Sequence, residues 1–138
     1  MIHMDLSRYV EAQTKTYPVA LQEMRDGEKQ NHWMWFIFPQ IKGLGYSPTS
    51  VYYAIQSREE AEQYLAHPVL GARLREISEV LLKLDTSNAN QVFGYPDDLK
   101  LKSSMTLFYL VSKEALFKQV LDKFFFGKLD ERTVELLK

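Results

Sequence analysis

The residues best suited to acid–base chemistry are one histidine and two adjacent carboxylates. His32 lies in an apolar run, and histidine is the side chain that titrates near neutral pH, so it could donate or accept a proton. Asp97 and Asp98 follow Pro96 at a predicted helix start, where a carboxylate could polarise a water molecule or hold a ribose hydroxyl. On a helix they point about 100° apart and cannot share a proton. The sequence predicts His32, Asp97 and Asp98 as catalytic residues of a hydrolytic or glycosidic reaction.

The candidate ligand-binding side chains are aromatic rings and an amide in one segment, and cations and hydroxyls in another. Aromatic rings can stack on a base or a sugar, and a cation beside a hydroxyl suits an anionic group. Lys100 and Ser104 share one face of a predicted helix, as do Lys102 and Thr106. The predicted ligand-binding residues are Trp33, Trp35, Gln40, Tyr46, Lys100, Lys102, Ser103 and Ser104.

Each of these residues also has a purely structural interpretation, which the sequence leaves open. His32 and both tryptophans would fit a buried core. Asp97 and Asp98 would fit the first turn of a helix, where carboxylates complement the helix dipole, and Asp98 can pair with Lys102 one turn later. The chain would then be a non-catalytic module that binds another protein. The triplet 124–126, three successive phenylalanines, favours this alternative because they cannot all face one core from a helix.

The composition excludes several kinds of site. The 138 residues include no cysteine, so disulfides, iron–sulfur clusters and thiolate zinc sites are absent. The histidines, His3, His32 and His67, do not have the spacing of metal ligands, and we predict neither a metal nor a cofactor. With 17 basic and 18 acidic residues, the formal net charge of −1 gives no overall field for nucleic acid, and no DNA-binding signature is present.

The chain shows no signal for a membrane. The N-terminal segment 1–5 lacks the basic and apolar stretches of a secretion signal. No apolar run approaches the roughly 20 residues of a membrane span. We therefore expect a soluble cytoplasmic protein without a membrane partner, while the oligomeric state is not predicted.

The position of the apolar run at residues 31–40 matters most for the predicted site, because this run carries both tryptophans and His32. Burying each large apolar side chain is worth roughly 1.5–3 kcal/mol, so the segment should be largely buried. We predict a helix, since the chain offers no second strand to pair with it. The loop 42–48, rich in glycine and proline, follows and is long enough to shape a site.

Apolar residues at helical spacing predict helices through the rest of the chain. Asp5 should cap a helix that begins at Leu6, with a kink or a break at Pro18 and an end at Gly27. The charged side chains near that end should face water: Glu23, Arg25, Asp26 and Glu28. Later helices should start at Pro48, at the capping box Ser57 to Glu60, at Pro68, at Pro96, at about Lys113 and after Asp130.

These elements define the predicted fold class. No convincing strand is present, so we predict an all-α protein. We expect residues 1–138 to form a single compact orthogonal bundle of about seven or eight helices of uneven length.

Three segments together resemble a known family. They are NHWMWFIFPQ at 31–40, AHPVLGARL at 66–74 and FGYPDDLKLKSSMTLF at 93–108. In this order they resemble the bacterial family called domain of unknown function 1810, whose members are sometimes labelled calpastatin-like. The resemblance runs from about Asp5 to Leu137 and implies an all-helical single domain, but no reaction, catalytic residue or cofactor. A calpain inhibitor is a disordered polar chain, whereas 46% of these residues are hydrophobic, so the calpastatin label carries little weight.

The functional hypothesis therefore depends on one spatial expectation. The aromatic run and the start of the helix at Pro96 should lie together and leave a hollow between them. A hollow of a few hundred Å³ would suit a polar or anionic ligand such as a nucleotide or an ADP-ribose derivative.

Overall fold

The regular elements of the structure, a computed structural model that describes residues 5–138, are helices. Residues 1–4, which include His3, lie outside the described part. The helices are α1 Ser7–Asp26, α2 Met34–Ile37, α3 Pro48–Tyr53, α4 Arg58–Ala66, α5 Leu70–Leu82, α6 Ala89–Phe93, α7 Asp97–Ser112, α8 Ala115–Phe125 and α9 Glu131–Leu136. Within residues 5–138 the strand-like pairing is limited to one parallel bridge, between Ile41 and Ile55. The all-α prediction is confirmed. The helices outnumber the prediction because short turns such as α6 form separate elements.

The first helix runs through Pro18 without a break. The sequence left open two helices or one kinked helix, and the structure shows a single element, α1. The helix begins at Ser7 with Leu6 at the N-cap, so the prediction that Asp5 caps a helix beginning at Leu6 is wrong by one residue. Asp5 precedes the cap, and its carboxylate accepts a hydrogen bond from the backbone N–H of Ser7 at 2.9 Å. The helix ends as predicted at Gly27, whose φ of 77° is a left-handed conformation that glycine adopts without strain.

The predicted capping residues begin their helices as expected. Ser57 Oγ accepts a hydrogen bond from the Glu60 N–H at 3.1 Å, and the Glu60 carboxylate accepts one from the Gln56 N–H at 3.0 Å. Asp130 caps α9 by accepting a hydrogen bond from the Thr133 N–H at 3.0 Å. Pro96 differs slightly from the prediction, since it occupies the N-cap rather than the first helical position of α7.

The longest buried stretch belongs to α7, which contacts α4, α6, α8 and α9. Residues 103–108 are all buried, so this part of α7 is enclosed on every side. The other central helix, α5, contacts α1, α4 and α8. The elements around α7 therefore determine which of its polar side chains reach the surface.

Arg8 connects α1 to the end of α3 and the start of α4. One of its guanidinium nitrogens lies 2.7 Å from a Glu60 carboxylate oxygen, and Glu60 is only 3% exposed. The same guanidinium donates hydrogen bonds to the backbone carbonyls of Tyr52 and Ala54 at 2.9 and 3.0 Å. A single side chain thus neutralises a buried carboxylate and satisfies the carbonyls at a helix end.

The three successive phenylalanines at the end of α8 face different surroundings. Phe124 is buried, whereas Phe126 is 93% exposed. Phe126 also has a φ of 57°, a left-handed conformation that is uncommon for a bulky residue. The prediction that the three side chains cannot all face the core is confirmed.

Within residues 5–138, no helix combines the length and the apolar composition needed to cross a membrane.

Candidate functional site

One buried carboxylate holds the segment that precedes α2. Glu23, near the end of α1, accepts hydrogen bonds from the backbone N–H groups of Gln30 and Asn31 at 2.8 and 3.1 Å. It also accepts hydrogen bonds from the Asn31 amide at 2.5 Å and the Trp33 indole N–H at 2.8 Å. Glu23 is 8% exposed, so the prediction that it faces water is wrong. The chain folds back over this side of α1 and places several hydrogen-bond donors around Glu23. A carboxylate can accept all of these hydrogen bonds, because each of its two oxygens has more than one acceptor site.

Lys29 joins the aromatic run to the start of α7. Its Nζ atom lies 2.7 Å from Asp97 Oδ2 and 5.0 Å from the centroid of the Trp33 ring. It also donates a hydrogen bond to the Asn31 carbonyl at 2.6 Å. The structure therefore brings together the two segments that the sequence analysis expected to meet.

A second lysine completes this contact. Lys100 Nζ lies 3.6 Å from Asp97 Oδ1 and 5.5 Å from the centroid of the Trp35 ring. The Asp97 carboxylate is thus shared between two ammonium groups, as in a structural ion-pair network. A role for Asp97 in proton transfer stays a prediction.

His32 is exposed, whereas most of the run that follows it is buried. Its imidazole has no hydrogen-bond or ion-pair partner among residues 5–138. The structural alternative of a buried core histidine is therefore wrong for His32. The neighbouring residues Asn31 and Trp33 donate hydrogen bonds to Glu23, so the His32 ring projects from an ordered segment. A role for His32 as an acid or a base stays a prediction.

The remaining predicted residues of the aromatic run and its loop differ in accessibility. Trp33 is fully buried, as the structural alternative expected, whereas Tyr46 is 82% exposed on the loop. Trp35 and Gln40 line a cleft of about 10 Å³ together with Gly45. That volume accommodates about one water molecule, so the cleft is closed to larger molecules in this conformation.

The polar residues of α7 beyond Asp97 are largely engaged or enclosed. Asp98 Oδ1 accepts a hydrogen bond from the Leu99 N–H at 2.9 Å. Ser103 donates a hydrogen bond to the Leu99 carbonyl at 3.2 Å, and Ser104 is fully buried. Lys102 is the predicted residue of this helix that lines a large depression. None of the four depressions described on residues 5–138 is lined by both the aromatic run and α7, so the hollow expected between them is not among these four.

The largest of these depressions has a volume of about 950 Å³ and is formed by α7, the α8–α9 connection and α9. We call it the basic depression. Its lining residues are Lys102, Lys128, Leu129, Asp130, Glu131, Arg132, Val134 and Glu135. None of its cations, Lys102, Lys128 and Arg132, forms an ion pair with a carboxylate of the described chain. The three carboxylates of the lining, Asp130, Glu131 and Glu135, balance the three cations in formal charge. Lys102 and Lys128 have no acidic partner, and Arg132 donates one hydrogen bond, to the Gly43 carbonyl at 3.4 Å.

A buried hydroxyl fixes the wall of the basic depression. Thr106 donates a hydrogen bond to the Lys102 carbonyl at 2.8 Å and accepts one from the Asp130 N–H at 2.9 Å. The α8–α9 connection is thereby attached to α7 close to Lys102. Helical spacing predicted that Thr106 lies beside Lys102 as a hydroxyl for an anionic group, whereas in the structure its hydroxyl joins two backbone segments.

Comparison with known proteins identifies the family. Residues 3–137 match the family described as "Protein of unknown function (DUF1810)". The chain belongs to this family. The resemblance noted from the three sequence segments is thereby confirmed.

A solved structure supports the fold of this DUF1810 protein. The structure, described as that of the conserved hypothetical protein Rv1873 from Mycobacterium tuberculosis, is 47% identical in sequence. It superposes with a TM-score of 0.94 and covers 96% of each chain. No curated protein gave a significant match.

Four residues that shape the features described above were not predicted from the sequence to do so: Glu23, Lys29, Lys128 and Arg132. No local pattern distinguishes them, because each lies in a charged stretch typical of a solvated surface. Their importance depends on contacts between distant segments.

Within residues 5–138 the structure shows no group of three or more histidine and carboxylate side chains that could hold a metal ion.

Proposed function

We propose that the protein binds a small anionic ligand in the basic depression. The observation that carries the proposal is that Lys102, Lys128 and Arg132 line one depression of about 950 Å³ without a carboxylate partner among the described residues. Its volume lies in the range of about 300–1,000 Å³ that is typical of small-molecule sites. Lys102 is shared with the ligand-binding residues predicted from the sequence. The candidate ligands are nucleotides, ADP-ribose derivatives and sugar phosphates.

The proposal concerns binding and includes no reaction. A hydrolytic or glycosidic reaction that uses His32, Asp97 and Asp98 stays a prediction. These residues share no described depression, and the Asp97 carboxylate is held by two lysines.

A second candidate function is that of a non-catalytic interaction module. The exposed Phe126 favours it, because a phenyl ring that is 93% exposed leaves apolar area for a partner. Ligand binding distinguishes the two candidate functions, since a protein-interaction module need not bind small anions.

A thermal-shift screen against the candidate ligands tests the proposed anion binding. A ligand at 100 times its dissociation constant adds about 2.7 kcal/mol to stability, so we expect at least one phosphorylated compound to raise the midpoint of thermal unfolding by several degrees. Lys102→Gln should weaken that ligand about tenfold, because it removes a charge-assisted hydrogen-bond donor. Isothermal titration calorimetry at fixed ionic strength measures the change.

The matched control for this prediction is Lys83→Gln. Lys83 also lines a depression, but a different one of about 330 Å³, formed by Arg25 of α1 and by residues of α5 and its C-terminal end. We expect this variant to bind the ligand like the wild-type protein. Flat thermal shifts for every anion, or equal losses in the two lysine variants, would contradict the proposal and favour the interaction module.

A further inference from the structure

One carboxylate of the basic depression is free, whereas two others are engaged. Asp130 Oδ2 accepts hydrogen bonds from the Thr133 N–H and hydroxyl at 3.0 and 2.6 Å. Glu135 lies 3.4 Å from Lys138 Nζ. Glu131 has no hydrogen-bond or ion-pair partner for its carboxylate within the described chain, although unpaired cations line the same depression. Glu131 and the three cations thus line one depression without forming ion pairs with one another.

An unpaired carboxylate beside an anion site has a chemical consequence. It repels a simple anion such as inorganic phosphate and therefore lowers the affinity for it. The same carboxylate becomes favourable when the ligand offers hydrogen-bond donors, since its two oxygens can accept several. A pair of adjacent hydroxyl groups is such a donor, and acidic residues hold ribose hydroxyls in this way in dinucleotide-binding folds.

The apolar part of the lining fits the same ligand. Leu129 and Val134 are partly buried and line the depression between its charged groups. An aliphatic wall can contact the carbon face of a sugar ring while the polar groups of the ring point away from it. The lining as a whole thus offers cations for a phosphate, an apolar wall for a ring and a carboxylate for hydroxyl groups.

We propose that the ligand of the basic depression is a phosphate ester that carries a vicinal diol, and that Glu131 is the residue that selects the diol. This inference rests on the proposed anion binding. The phosphate lies toward Lys102, Lys128 and Arg132, and the diol donates hydrogen bonds to the Glu131 carboxylate.

Calorimetric titrations with paired probes test the inference. The probes are inorganic phosphate, ribose 5-phosphate with 2-deoxyribose 5-phosphate, and adenosine 5′-monophosphate with its 2′-deoxy analogue. We expect the wild-type protein to prefer the ribo compound about tenfold in at least one pair, since the deoxy compound lacks one hydrogen bond to a charged group. The pair that binds more tightly identifies a free sugar phosphate or a nucleotide as the source of the ligand.

Two variants of Glu131 separate its role from a general effect on the fold. Glu131→Ala should abolish the preference for the ribo compound and strengthen the binding of inorganic phosphate about twofold, because a repelling charge is gone. Glu131→Gln keeps the shape and one acceptor oxygen, and we expect an intermediate preference. Glu59→Ala is the matched control, since Glu59 is also exposed in the first turn of a helix but does not line the depression.

The outcomes that overturn the inference differ from those that overturn the proposed function. Equal binding of the ribo and deoxy compounds by the wild-type protein would reject the selection of a diol, even if both compounds bind. A preference that survives in Glu131→Ala, or that is lost equally in Glu59→Ala, would reject the role of Glu131. No binding of phosphate or of any ester would reject the anion site itself.

Discussion

Glu23→Ala is expected to lower the free energy of unfolding by about 3–5 kcal/mol, because each buried donor left without a partner costs about 1–3 kcal/mol. The carboxylate accepts the indole N–H of the fully buried Trp33 and two backbone N–H groups of the following segment. Alanine can accept none of these hydrogen bonds. Urea denaturation followed by tryptophan fluorescence measures the loss and reports on the environment of Trp33 at the same time.

The control for this variant is Glu28→Ala. Glu28 is exposed just beyond α1, and its side chain forms no hydrogen bond or ion pair with residues 5–138. We expect its free energy of unfolding to change by about 0.5 kcal/mol or less. A similar small change for Glu23→Ala would show that water replaces the carboxylate and that Glu23 does not fix the segment before α2.

The same carboxylate predicts a loss of stability in acid. Burial raises the pKa of Glu23, but the hydrogen bonds from Gln30, Asn31 and Trp33 outweigh burial and lower the pKa below its ordinary value of 4.5. A carboxylate whose pKa is lowered by folding contributes stability above its ordinary pKa, and the contribution is lost as the pH falls toward the folded value. We expect the free energy of unfolding to decrease below about pH 4.5 and the decrease to be shallower in Glu23→Gln. Parallel slopes for the two proteins would contradict this assignment.

Arg8→Met is the second substitution with a large expected effect. It should lower the free energy of unfolding by about 3–5 kcal/mol, because it leaves the Glu60 carboxylate, which is 3% exposed, without its cation. The carbonyls of Tyr52 and Ala54 lose their donor as well. Chemical denaturation at neutral pH measures the effect.

Arg75→Met provides a matched control for a more exposed ion pair. Arg75 lies 2.8 Å from Glu114, but their side chains are 38% and 32% exposed, so we expect a loss of about 1 kcal/mol or less. The double variant Arg8→Met and Glu60→Leu should recover part of the stability, since no unpaired carboxylate then remains in the interior. Equal losses for the two arginine variants would show that burial of Glu60 does not determine the energetics.

The helices could be predicted because their signals are local. Ser57 and Asp130 bond to N–H groups three residues later, and Gly27 ends α1 through its own backbone conformation. Such interactions are specified within a few residues of sequence. The spacing of apolar residues along the longer helices predicted which faces are buried, for the same reason.

The arrangement of the candidate sites was harder to predict because it depends on distant contacts. Glu23 belongs to a charged stretch whose other members face water, and only the return of the chain toward α1 buries it. The basic depression requires α9 to lie against α7, and no spacing within Lys128 to Arg132 indicates that neighbour. The sequence could indicate that the aromatic run and the start of α7 meet. Whether side chains fill the space between them depends on where Lys29 and Lys100 lie in the fold.

The enclosure of α7 has a consequence for how this fold can diversify. Residues 103–108 touch the interior on every side, so each substitution there must preserve volume and shape. Substitutions that leave this packing unchanged are therefore expected at the two ends of the helix and on the short α9 beside it. Residues at the rim of the molecule can therefore be exchanged while its central axis stays nearly constant.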